Sequence, residues 1–457
     1  MRKRNLLAIL GTLITTILTT QLSGQSPQPY PKAVTDRAIH QETDMLPPAT
    51  GVVFTDPDFG SSMVRATDAT THFKRPGYFL RTEGSGEANA WSMDSSKFYV
   101  IGTGGWALAL GFDPSTMAIH SLPNASPGRV LVLPLRPGPS FSFVDSDLIY
   151  GTTSKDPLTI TSYRFSTAAM SPVIDTRTCG VQPALGSGKS VVSDDDVSLS
   201  ANDARISISE GGSQFSQHMF VVVYDKQLGC RWYNTQTGQI GGQWGTAGTA
   251  TVGSSYLVRH SYMARSGNYV RILTDNAVWY VWDLATLNVT ACPNFVGLLC
   301  DGYGVTGYDS FVNSPAALDD MQIVKRPFSD ISQITSLVYP LPSPATWGQE
   351  HHFTWSNVDA NDSAPVCLTT HSYDGDTEID QPFAAEVLCV ETDGLASTIW
   401  RFAHNRATFA PPYFQTQPLG SVSIDGRFFL FTSDWDAQLG LSPDGTPRSD
   451  VFVVKLD

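Results

Sequence analysis

The sequence predicts an all-β chain folded as a β-propeller of seven four-stranded blades, closed by strands from both chain ends. Three observations predict it. A strand, turn and strand unit recurs along the 457 residues, and charged residues make up only 16% beside 38 Gly and 29 Pro. Strand-rich pieces are also left over at each end. Many short strands joined by tight turns need that composition, whereas long amphipathic helices need more Glu, Lys and Arg.

The unit is clearest in AWSMDSSKFYVIGT at 90–103 and SVSIDGRFFLFTSDW at 421–435. In each, a serine precedes an Asp-containing turn, and Lys or Arg leads into a strand of aromatic and aliphatic residues. Weaker copies occupy 197–209, 260–274 and 351–370, with poorer ones near 141–153 and 311–324. A second half-unit, an apolar strand followed by an Asp turn, recurs at 107–120, 220–233, 278–290 and 385–402. Anchors near Trp91, Phe143, Leu199, Tyr262, Phe311, Trp355 and Val422 stand roughly 45 to 65 residues apart, one blade with elaborated loops. The count is seven, and six or eight blades would also accommodate the period. GVVFTDPDFGSSMVRAT at 51–67 and SDVFVVKLD at 449–457 supply the strands that close the ring. Two β-sandwiches, the competing all-β arrangement, would explain neither the period nor the spare strands.

Before the repeats, Arg2, Lys3 and Arg4 precede an apolar stretch from Leu6 to Leu18. This reads as a signal peptide over 1–25, since an apolar run of about 13 residues falls short of the about 20 that span a bilayer. Export to a secreted or periplasmic location is expected. Residues 26–50, with Pro, Gln and Thr and little apolar periodicity, are expected as a disordered leader. The propeller is then 51–457.

An exported chain with six cysteines and no CxxC spacing is expected to form disulfides. Cys292–Cys300 as a loop staple and Cys367–Cys389 between neighbouring strands leave Cys179–Cys230, with buried free thiols as the alternative. A net charge of −14 with no basic cluster beyond the first residues excludes the footprint of a nucleic-acid binder. The expected partner is a protein or carbohydrate, and the mature chain is expected as a monomer without a membrane span. Asn124, Asn288 and Asn361 begin sequons, meaningful only in a eukaryotic secretory route.

At SIDGRFFLFTSDW, with SMDSSKFYV beside it, the chain resembles the WD-repeat-like propellers of the TolB type. Their blades carry a Ser-Pro-Asp-Gly-Lys/Arg turn before an aromatic strand, and here Ile424 and Met93 replace the Pro. That resemblance implies fold and not activity, because scaffolds, peptidase propeller domains and oligogalacturonate lyases share the turn.

No motif names a catalytic residue. Gly188-Lys189-Ser190 ends like a phosphate-binding loop, but Pro183 stands where that loop needs Gly. A nucleophile elbow is missing, and Arg427 occupies the glycine position of a sialidase-type turn. The best histidine constellation is GQEHHFTW at 348–355 followed by His371 and His404. Neighbouring strand residues alternate faces, so His351 and His352 point apart. Similarity to oligogalacturonate lyases implies a manganese ion held by His and Gln, for which Gln349, His351, His352 and His404 are the candidates. Histidines that simply hydrogen-bond in blade loops are the plainer alternative. In YDGDTEID at 373–380, Asp374, Asp376, Glu378 and Asp380 alternate as carboxylates suited to calcium, or to a solvated acidic loop. Ten tryptophans are candidates for sugar stacking or, more simply, for packing between blades. The functional expectation is an exported binding scaffold; the alternative is a metal-dependent polysaccharide lyase or other glycan-active enzyme at the channel mouth.

Overall fold

A computed structural model of the chain describes residues 29–457 apart from 127–128, 182–195, 212–217, 253–254, 276–277, 293–303, 315–322, 339–349, 372–378, 380, 395–396 and 410–411. The described residues form seven antiparallel sheets, six of them built from consecutive strands and one joining the two chain ends, arranged as a seven-bladed propeller. Blades 1 to 6 begin at Leu80–Arg81, Arg136–Phe141, Ser198–Leu199, Val258–Met263, Gly304–Thr306 and Glu350–Thr354. Blade 7 begins at Gly420–Val422. Phe143, Leu199, Tyr262, Trp355 and Val422 each fall in, or within two residues of, the first strand of a different blade; Trp91 lies beyond the first strand of blade 1, where an isolated bridge joins it to Phe98, and Phe311 lies on the second strand of blade 5.

Blade strands do not alternate polar and apolar residues, because both faces of every blade are covered by neighbours. Val366–His371, Glu386–Val390 and Phe428–Ser433 are buried at every position. The core therefore lies between the sheets. One cluster joins Phe428 and Val453 of blade 7 to Trp91 and Tyr99 of blade 1 and Phe141 of blade 2. Trp91 donates its indole N–H to the Ser421 carbonyl at 3.0 Å, tying first blade to last.

Closure mixes the two ends, as the spare strands implied. In blade 7 the order runs from Gly420–Val422 through Phe428–Ser433 and Asp450–Lys455 to Ser62–Arg65 and Val53–Thr55. Val64 sits opposite Val453, and Arg65 pairs with the buried Asp450 at 2.5 Å. The seam thus carries backbone, apolar and ionic links.

The recurring serine has a specific job. Ser92 donates to Asp94 at 2.8 Å and accepts the Lys97 amide at 2.9 Å. Ser200 with Asn202 and Arg205, and Ser423 with Asp425 and Phe428, repeat this bridge in blades 3 and 7. A hydroxyl that accepts and donates at once satisfies the turn's amides and fixes the following strand.

The segment expected as a leader behaves differently over its described part, 29–50. Tyr30 is buried, edge-on to Trp400 and Phe402, and Val34 forms a bridge with Arg401. Arg401 also donates to Asp36 at 3.0 Å and to the Ala38 carbonyl at 2.8 Å. A few anchors hold this stretch over blades 6 and 7 without any periodic pattern, which is why composition gave no sign of it.

Cys179 is bonded to Cys230 and Cys367 to Cys389, the latter pair directly opposite in blade 6. Cys292 is disulfide-bonded too, and its expected partner Cys300 lies outside the described residues. No helix among the described residues is long and apolar enough to cross a membrane.

Candidate functional site at the propeller axis and rim

The first strand of blade 1 breaks after Arg81 and resumes at Trp91, which bridges Phe98. The residues between, 82–89, cross the centre of the ring. Thr82 donates to the Leu419 carbonyl at 2.7 Å, and the Gly84 carbonyl accepts from His352 at 3.3 Å. Asn89 donates to the Phe141 carbonyl at 3.0 Å. Gly86 lies so close to blade 6 that a β-carbon there would stand 1.8 Å from the Phe353 carbonyl oxygen. The first strands of a propeller enclose its axis, so a segment bonded to several of them occupies that axis.

Glu87 is the charged centre of this segment. One carboxylate oxygen accepts from Arg271 at 2.9 Å, from the Thr306 amide at 2.8 Å and from the Thr306 hydroxyl at 2.7 Å. Arg265 donates to the Glu87 carbonyl at 3.2 Å and to the Leu199 carbonyl at 2.9 Å. Arg271 stacks on Trp279, its guanidinium 3.9 Å from the ring centroid. Sequence reasoning missed this group, although Arg271 inside the strand YVRILT was a legible anomaly: a charge in a strand buried on both faces demands a partner.

His351 and His352 lie on Glu350–Thr354, opposite Thr370 and Thr369. His351 stacks on Phe353, which packs with Val305 and Val312 of blade 5, while His352 accepts the Gly420 amide of blade 7 at 3.4 Å. The adjacent imidazoles thus face different neighbours. His371 lies on the next strand and meets the side-chain amide of Gln417 at 3.2 Å. Burial pushes His351 and His371 down to about 3 and His352 to about 4, so all three are neutral near pH 7. His404 lies on Ile399–His404, the fourth strand of the blade, 3.8 Å from Asp58, and burial lowers it to about 4. The expected set of His351, His352 and His404 is therefore split between the inner and outer strands of blade 6. His352, His371 and Gln417 form a group nearer the axis instead, and Gln417 is its unforeseen member.

That group does not fit a metal as it stands. His352 uses both ring nitrogens, one donating to Gly84 and the other accepting from Gly420, which leaves no lone pair for an ion. Among the described residues no three His, Cys, Asp or Glu side chains are placed to hold one. Gln349, Asp374, Asp376, Glu378 and Asp380, with the 188–190 loop, lie outside the described residues.

Described tryptophans mostly pack between blades: Trp91, Trp282, Trp355 and Trp435 are fully buried, and the half-buried Trp106 and Trp244 lie under Arg136 and Arg231. Two other aromatics are exposed, Tyr413 and Phe414. They belong to the loop entering the first strand of blade 7, where Phe409 links Phe414 to His371 through ring contacts at 5.8 and 5.3 Å. That loop forms part of the rim beside the axial segment.

No family model and no curated protein matches the chain. Among solved structures, it is similar to the oligogalacturonate lyase of Vibrio parahaemolyticus, with TM-score 0.51 and 10% identity over 89% of this chain and 98% of that one. An oligogalacturonate lyase in complex with manganese gives TM-score 0.52 and 13% identity over 91% and 99%. Likeness at such identity shows the fold alone.

Proposed function

We propose that this is an exported propeller that binds a carbohydrate ligand on its rim, at residues 412–419. The observation that carries this reading is the pairing of a filled axis with exposed Tyr413 and Phe414 beside it. Residues 82–89 occupy the place where a channel-bound ligand would lie, and rigid aromatic faces next to polar groups suit sugar rings. Export is supported by the signal-like N-terminus and by the disulfides, which persist in oxidising compartments. A glycan array probed with the full chain and with Y413A/F414A tests it. Binding that the double variant loses supports the reading, and a blank array, or binding that the variant keeps, rejects it.

A second reading is favoured by the His352, His371 and Gln417 group together with the manganese-bearing fold neighbour: a metal-dependent polysaccharide lyase. For it, His352 would have to release Gly84 or Gly420 to free a nitrogen. Metal analysis with and without chelator, followed by ultraviolet assay for an unsaturated uronate product, separates it from the scaffold. Stoichiometric metal with turnover favours the enzyme; neither favours the scaffold.

A further inference from the structure

We propose that the axis carries a carboxylate-recognition site, built by Arg265, Arg271 and Thr306, which Glu87 of segment 82–89 occupies as an internal competitor for the carboxylate of an external ligand. This inference does not rest on the rim reading and stands or falls separately.

The charge count carries it first. Arg265, Arg271 and Glu87 are all buried, with side-chain exposures of 2%, 0% and 3%, so one carboxylate faces two guanidinium groups. Buried cations are normally matched one for one, because an uncompensated charge away from water is costly. Unmet hydrogen bonds come second. Nε of Arg265, and Nε and Nη1 of Arg271, are buried without partners, as is Oε2 of Glu87, which lies 3.9 Å from Arg265. Arg231, Arg326 and Arg448 also keep buried nitrogens without partners, and Arg271 donates further to the Gly304 carbonyl at 2.7 Å, so what sets this group apart is that two guanidinium groups converge on a single carboxylate. The donor set is also chemically specific: a planar guanidinium, a backbone amide and a hydroxyl converge on one carboxylate oxygen, an arrangement suited to a carboxylate.

The competitor is chemically able to leave. Segment 82–89 reads TEGSGEAN, with no large apolar side chain to anchor it. Its hold is polar and ionic, so the ligand that replaces Glu87 must itself bring an acid group.

The test uses the full chain with formate, acetate and galacturonate as probes, and chloride at equal ionic strength as control. E87A frees the cradle. It is expected to bind acetate at least ten-fold more tightly than the wild type by calorimetry, and R271Q in the same background should abolish the gain. In the wild type, saturating galacturonate should speed hydrogen exchange of the 83–88 amides at least ten-fold. Equal response to chloride and acetate, an adventitious ion only, overturns the proposal, as does unchanged exchange in the wild type. Should E87A not fold, E87Q keeps the shape while weakening the competitor, and it must then show the same ordering of acetate over chloride; failure to do so rejects the proposal equally.

Discussion

Gly86 and Phe353 touch backbone to backbone: the space a β-carbon would need at Gly86 is already taken by the Phe353 carbonyl oxygen, 1.8 Å away. The axial segment is thereby fitted to blade 6 without room for any side chain. G86A is expected to lower unfolding stability by about 3 kcal/mol or to expel the segment, since backbone atoms cannot yield as a flexible side chain can. Denaturant titration checks this, and a variant within about 0.5 kcal/mol of wild type contradicts it.

Arg401 forks onto Glu386 through Nε and Nη2 at 2.8 and 2.5 Å, both side chains fully buried, while its remaining nitrogen holds Asp36 and Ala38. R401M leaves Glu386 as a buried unpaired acid and should cost about 3 to 5 kcal/mol. It should also free 29–50, so limited proteolysis ought to cut there first. Unchanged cleavage would show that the other anchors, Tyr30 and the contacts of Glu42 with Arg406 and Met45 with Trp435, suffice.

Neutral buried histidines set the acid limit. His351, His352, His371 and His404 have folded values near 3 to 4 against 6.5 unfolded. The unfolded chain binds their protons first, so stability is full above about pH 6.5 and falls as pH drops toward 3. Glu210 acts in the opposite sense, raised to about 7 by complete burial, so its cost grows as pH rises from about 4.5 to 7. Four histidines outweigh one glutamate between pH 4.5 and 6.5, so melting temperature should drop steeply below pH 6. E210Q should make the curve rise more between pH 5 and 7, and H404N should make it less steep below 6.

The two disulfides with both partners among the described residues differ in the loop they close. Cys179 and Cys230 are 51 residues apart and Cys367 and Cys389 are 22 apart. On the chain-entropy argument, their removal costs about 4 and about 3.4 kcal/mol, so C179S/C230S should melt below C367S/C389S. The reverse order would place the larger contribution in blade 6.

Legibility in the sequence followed what a residue must do locally. Ser92, Ser200 and Ser423 were readable because a turn needs its own amides satisfied by a side chain two to five positions away. The spare strands at 51–67 and 449–457 were readable because an open sheet edge requires a partner. The axial segment was not, because its glycines read as an ordinary loop and its contacts join residues hundreds of positions apart. Gln417 escaped for the same reason: its partner His371 is 46 residues away and in another blade.

In the ligand-free protein the chain's own residues 82–89 fill the axis. Native-state hydrogen exchange of the ligand-free protein tests it most directly. Amides such as Thr82, bonded to Thr432 at 2.9 Å, and Asn89, bonded to Ser140 at 3.2 Å, should exchange as slowly as those of the neighbouring first strands. Exchange at the rate of an exposed loop would contradict it and return the axis to the status of an open channel.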